Sequence, residues 1–152
     1  MHEKGKVLVV DDNEFGIRWL LDLLKFHQYE AELVTNEESA MRKLELVQEK
    51  KLKYHLAIFD VMVATQRIED VEKLDDEFFR DSMDTGVRLC RYARLELGLS
   101  PSELDIVCIS GRGDEDLVDA TRRLGIPLFN RSQTTAFRKF LKEKLSFESK
   151  QT

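Results

Sequence analysis

Three aspartates carry the chemistry that this sequence can do. Asp11 and Asp12 close the run Lys6-Val7-Leu8-Val9-Val10-Asp11-Asp12, and Asp60 closes the run Lys53-Tyr54-His55-Leu56-Ala57-Ile58-Phe59-Asp60. In each case an apolar stretch of four residues ends abruptly in a carboxylate. Stretches that short, without polar alternation, suit strands buried on both faces of a parallel sheet. Open α/β sheets take their ligands at the carboxyl ends of such strands, so two neighbouring strands would deliver three acids to one rim. Carboxylates about 4 Å apart repel by roughly 4 kcal/mol per pair at an effective dielectric near 20. The cluster therefore needs protons or a cation. Oxygen donors with room left for water and phosphate suit Mg²⁺ or another divalent ion.

The rest of the chain supplies the frame. Asn13 is an N-cap for a helix whose Phe15, Trp19, Leu20, Leu23, Leu24 and Phe26 recur at helical spacing, and that spacing assigns Trp19 and most of the phenylalanines to the core. A short second strand at 31–34 leads to a helix capped by Asn36 and carrying Ala40, Met41, Leu44 and Val47. After the strand ending at Asp60, a helix from about Gly86 presents Val87, Leu89, Cys90, Ala93, Leu95 and Leu97 and stops at Gly98. A fourth strand at 105–110 ends in Ser110. Gly111 and Gly113 break the chain before a helix with Leu117, Val118, Ala120, Thr121 and Leu124. The fifth strand, 126–129, contains Pro127, which suits an edge strand, and a last helix at 134–145 aligns Phe137, Phe140, Leu141 and Leu145. Five alternations of strand and helix predict an α/β doubly wound fold: a five-stranded parallel sheet with helices on both faces. The acid-lined edge selects the flavodoxin-like order 2-1-3-4-5.

Composition bounds the rest. A chain of 152 residues with 42% hydrophobic and 35% charged residues reads as one soluble domain over 1–152. No run reaches membrane-spanning length, and the first residues lack the apolar core of a signal peptide, so a cytoplasmic location is expected. Cys90 and Cys108 have no C-x-x-C spacing and read as two reduced core thiols. The net charge of −5 argues against nucleic-acid binding through this chain, although Arg122, Arg123, Arg138, Lys139, Lys142 and Lys144 make the last two helices basic. His2, His27 and His55 are scattered and mark no metal or phosphoryl-donor site.

With these residues placed, the chain resembles the receiver domain of two-component response regulators. The motifs that carry the resemblance are Val7-Leu8-Val9-Val10-Asp11-Asp12-Asn13, His55-Leu56-Ala57-Ile58-Phe59-Asp60-Val61-Met62 and Ile106-Val107-Cys108-Ile109-Ser110-Gly111. The resemblance implies that Asp60 is the phosphoacceptor and that Asp11 and Asp12, with Asp60 and the backbone carbonyl of Met62, hold the metal. Ser110 would bond a phosphoryl oxygen. It implies a histidine kinase or phosphotransfer protein as donor and an output protein as recipient of the signal, allows a homodimer, and makes the domain a phosphoacceptor rather than an enzyme. An aspartate-nucleophile phosphatase is disfavoured because Asp60-Val61-Met62 lacks a second acid two residues on. Neither G-x-x-x-x-G-K nor G-x-G-x-x-G follows the first strand, which excludes a nucleotide fold.

Two features depart from the family pattern. Receivers carry a Lys after the fifth strand, whereas Asn130-Arg131-Ser132-Gln133 stands here, with Arg131 as the preferred replacement. The same shift leaves the family's switch aromatic as Phe129, or absent if Leu128 holds that place. The second departure is length: Asp60 and Gly86 lie 26 positions apart, against about 2–6 residues in an ordinary connection. Residues 65–84 hold eight acids and three bases, a net of −5 that equals the charge of the whole chain. Ile68, Val71, Leu74 and Phe78 fall on one stripe, so the insertion at about 64–84 is expected to be an amphipathic helix, packed on its own domain or serving as a lid or docking surface. The altered Lys position leaves a second expectation open, a degenerate receiver that binds protein without phosphate.

Overall fold

The computed structural model describes residues 5–61, 85–111 and 115–145. The insertion at 64–84 and Met62 lie outside the described residues. Five strands, β1 (Gly5–Val10), β2 (Tyr29–Val34), β3 (Leu56–Asp60), β4 (Ile106–Ser110) and β5 (Leu128–Asn130), pair in parallel in the order β2-β1-β3-β4-β5. Between and after them run α1 (Glu14–Phe26), α2 (Glu37–Gln48), α3 (Thr85–Arg91), α4 (Glu115–Arg123) and α5 (Thr134–Leu145). The expected fold class is the observed one.

The apolar runs are continuous because both faces of the sheet are covered. Leu8, Val10, Ala57, Phe59, Ile106 and Cys108 pack under α2, α3 and α4, while Val7, Val9, Leu56, Ile58, Val107 and Ile109 pack under α1 and α5. Successive residues of a strand point to opposite faces, so an alternating polar residue would have met one core or the other. Both expected caps form: Asn13 accepts the Gly16 N–H at 3.1 Å and Asn36 accepts the Ser39 N–H at 2.8 Å.

Some expectations need correction. On α1 the buried stripe is Ile17, Leu20 and Leu24, and Phe15, Trp19 and Phe26 project about half a turn away from it. Phe15 is 94% exposed and Phe26 66% exposed, so neither is core. Trp19 is partly covered, its ring edge-on to Phe137 with the Arg138 guanidinium 5.8 Å from its centre. The helix after the insertion changes winding: α3 passes into a π-helical turn at Tyr92–Glu96, and Leu97 N–H bonds the carbonyl of Tyr92 at 2.9 Å. The extra residue per turn rotates Leu95 off the apolar stripe, which leaves it 69% exposed. β5 begins at Leu128 rather than at Ile126, since Pro127 has no N–H to donate; its carbonyl accepts from Cys108 instead. The two cysteines are free and buried, their sulfurs 3.3 Å apart between α3 and β4. The Cys90 contact, and burial after it, pushes the Cys108 thiol well above its ordinary pKa and keeps it protonated.

Candidate functional site

Register brings the acids together. Val10 of β1 lies opposite Phe59 of β3, so the next residues, Asp11 and Asp60, leave the sheet side by side. Carboxylate oxygens of Asp11, Asp12 and Asp60 all lie within 4.8 Å of one another, with Asp11 and Asp60 buried and Asp12 exposed. The expected gathering of acids at one rim is present.

Two of the acids, Asp11 and Asp60, are held by the chain around them. The N–H of Asp11 bonds the carbonyl of Val34 at 3.0 Å, extending the β1–β2 ladder by one residue. Its side chain then accepts the N–H of Asn13 at 2.9 Å, which ties the start of α1 to the acid. On β3, the Val61 N–H continues the ladder to Ile109 at 3.0 Å and so fixes Asp60 from its far side. The first turn of α3 also presses on this point: Gly86 N–H bonds the Val61 carbonyl at 2.9 Å. A Cβ on Gly86 would lie 2.6 Å from Val61 Cα and 2.7 Å from the Asp60 carbonyl oxygen, so only glycine permits the approach. The chain thus leaves for the insertion at Val61 and returns at Thr85 to the same spot.

Arg131 completes the cluster. Ser110 ends β4 opposite Asn130 of β5, and the Arg131 N–H donates to the Ser110 carbonyl at 2.9 Å. From there the side chain crosses two strands. Its Nη2 donates to Asp60 Oδ2 at 2.7 Å and to Asp11 Oδ2 at 3.0 Å. Burial works against the guanidinium's charge, but the charges of Asp60 and Asp11 and the hydrogen bonds to them outweigh it and raise its pKa. Beside it lies a cavity of about 60 Å³ lined by Trp19, Ile109, Asn130, Arg131, Thr134 and Phe137. Ser110 is fully buried at the same rim. Sequence reasoning placed Arg131 against phosphate; it missed the contact with the acids themselves, for which no sequence signal exists. It also missed that Asn13, expected only as a cap, anchors Asp11.

The donor set fits a small divalent cation. It consists of carboxylate oxygens alone, with no imidazole or thiolate, and two of its three members are buried and face one another. Asp11, Asp12 and Asp60 would hold the ion. The fourth ligand expected, the Met62 carbonyl, is outside the described residues.

A flavodoxin-like sheet with an acid-lined carboxyl rim is the class these features define. No family model matches the sequence, and no curated protein is similar to it in sequence. Solved structures are similar in fold. A receiver-domain protein from Methanospirillum hungatei aligns over 96% of this chain and 95% of its own, with a TM-score of 0.63 at 20% identity. A two-component response regulator from Clostridium difficile aligns over 93% and 96%, with a TM-score of 0.65 at 17% identity. The BeF₃-activated receiver domain of RstA from Klebsiella pneumoniae aligns over 92% and 97%, with a TM-score of 0.62 at 16% identity. The protein has the fold of response-regulator receiver domains. Phe129 stacks on Phe137 and leans on Phe140, both of α5. Among the described residues, no helix is long and apolar enough to cross a membrane.

Proposed function

We propose that this protein is a signalling receiver that accepts a phosphoryl group on Asp60 from the phosphohistidine of a histidine kinase or phosphotransfer protein. It then passes the signal to an output protein by contact. The observation that carries the reading is the convergence of Asp11, Asp12, Asp60 and Arg131 at one rim of a receiver fold. A fold neighbour in a BeF₃-activated form adds support. Asp60 is preferred over Asp11 as nucleophile because it closes the strand whose motif, His55-Leu56-Ala57-Ile58-Phe59-Asp60-Val61-Met62, carries the resemblance to receivers at the phosphoacceptor position.

In the transfer, a carboxylate oxygen of Asp60 bonds to phosphorus while the bond from phosphorus to the donor nitrogen breaks. The electron pair goes to the departing imidazole, which leaves protonated. Bound Mg²⁺ would screen the three acids from each other and from the phosphoryl charge. Arg131, already at Asp60, would donate to the phosphoryl oxygens, and Ser110 lies at the same rim to bond another. The product carries more negative charge than the acid it replaces and three strong acceptors, enough to shift neighbouring loops. In this reading the domain is not an enzyme, it acts in the cytoplasm, and it presents no nucleic-acid surface.

One observation favours a second reading. Arg131 satisfies Asp11 and Asp60 at once, so the protein is also suited to act as a phosphate-independent binding module. Incubation with acetyl phosphate and MgCl₂ separates the two. A single base-labile phosphoryl adduct, visible in the intact mass and missing from Asp60→Ala, supports the first reading. No adduct supports the second, and an adduct that survives the substitution overturns the assignment of Asp60 as acceptor.

A further inference from the structure

Arg131 bridges the two buried acids of the cluster. Its Nη2 reaches Asp60 Oδ2 at 2.7 Å and Asp11 Oδ2 at 3.0 Å, and both of those carboxylates are buried. A magnesium ion bonds carboxylate oxygen at about 2.0–2.1 Å. An ion on the same two oxygens would therefore be forced to within about 5 Å of the guanidinium nitrogen, where two cations repel strongly. An arginine guanidinium keeps its charge in proteins, so it must move rather than deprotonate. It has the freedom to do so: its side chain is 35% exposed, while those of Asp11 and Asp60 are 1% and 6% exposed.

We propose that Arg131 is a tethered cation that competes with the divalent ion for Asp11 and Asp60, so that this site takes Mg²⁺ only by displacing its own arginine. The inference rests on the reading of the acid cluster as a metal site. Metal affinity is then reduced by the fraction of molecules in which the guanidinium is seated, and metal binding releases the side chain. The released guanidinium becomes available for the phosphoryl group, which is how one residue would serve the empty and the loaded site in turn. A lysine ammonium, a more strongly hydrated point charge on an unbranched stem, would hold the two acids less firmly.

The test is a calorimetric titration of the full chain with MgCl₂ alone, without phosphodonor, comparing the unmodified protein with Arg131→Gln and Arg131→Lys. Glutamine keeps much of the shape and removes the charge; the expected result is Mg²⁺ affinity at least about tenfold higher, with lysine intermediate. Melting temperatures give an independent readout: MgCl₂ is expected to raise that of Arg131→Gln more than that of the unmodified protein. If the glutamine variant fails to fold, Arg131→Lys binding Mg²⁺ no more tightly than the unmodified protein overturns the proposal. Equal or weaker binding by a folded Arg131→Gln overturns it too, and leaves the metal site standing. Absence of Mg²⁺ binding in all three proteins overturns both the competition and the metal site. The phosphoryl adduct on Asp60 is measured separately, so failure of the competition and failure of the receiver reading are told apart.

Discussion

Two partly buried arginines sit at opposite ends of β4, and they differ in what they face. At the amino end, Arg94 lies in the π-helical turn and donates through Nη1 to the carbonyls of Leu99 and Leu104, at 3.0 and 2.8 Å. Its Nε is buried without a hydrogen-bond partner, and burial lowers its pKa despite the weaker pull of Cys90 and Asp105. At the carboxyl end, Arg131 meets two carboxylates and its pKa rises. One arginine staples backbone; the other balances charge. The same side chain is structural where it finds carbonyl dipoles and chemical where it finds acids.

That contrast is open to attack in order of expected effect. The largest concerns transfer to Asp60 at saturating MgCl₂. Arg131→Gln removes a charged donor from beside the reacting group and is expected to slow adduct formation about tenfold or more, while Arg94→Gln leaves the rate unchanged. Equal slowing by both would erase the distinction.

Glycines at the two ends give the next comparison. Gly86→Ala puts a methyl group into the backbone of Asp60 and Val61 and is expected to cost about 3 kcal/mol of unfolding free energy. Gly98, just past the π-helical turn, has φ +67° and open space around it, so Gly98→Ala should cost about 1 kcal/mol through backbone conformation alone. Denaturant titrations would rank the two.

Removing either arginine from the metal-free protein should also destabilise it. Arg131→Gln leaves two buried acids facing each other, at an expected cost of about 2 kcal/mol, reduced from that of a fully buried pair by the exposure of the guanidinium. Arg94→Gln loses two carbonyl contacts and relieves an awkward burial, at about 1 kcal/mol.

The effect smallest at neutral pH, where it vanishes, is a pH dependence at the amino end of β3. Burial, then the hydrogen bond to Glu32 at 2.8 Å, pushes the Tyr54 hydroxyl above its ordinary pKa of 10.0. Above that pH the unfolded chain gives up this proton and the folded chain keeps it. The contribution is complete below pH 10 and is lost as pH climbs toward the folded value, at up to about 1.4 kcal/mol per pH unit. Tyr54→Phe should flatten the alkaline limb relative to the unmodified protein.

Much of the frame was legible because it depends on local pattern. Apolar runs ending in acids fixed β1 and β3, and Asn13 and Asn36 marked the starts of α1 and α2. What escaped depends on tertiary contact. Phe15 and Phe26 share helical spacing with core residues, but only the packing of Ile17, Leu20 and Leu24 decides which face is inside. The π turn at Tyr92–Glu96 leaves no propensity signal, so Leu95 was misplaced. At the site, sequence gave the acids and the arginine as separate strand-end residues. Their union through Nη2 required the register of β1, β3, β4 and β5 together.

The most direct measurement asks which of the three acids takes the phosphoryl group. Borohydride reduces an aspartyl phosphate to homoserine, and peptide mass mapping of protein treated with acetyl phosphate and then borohydride locates that residue. Homoserine at position 60 alone is the expected result. Homoserine at position 11 or 12, or none at all, would contradict the assignment of Asp60 as the acceptor.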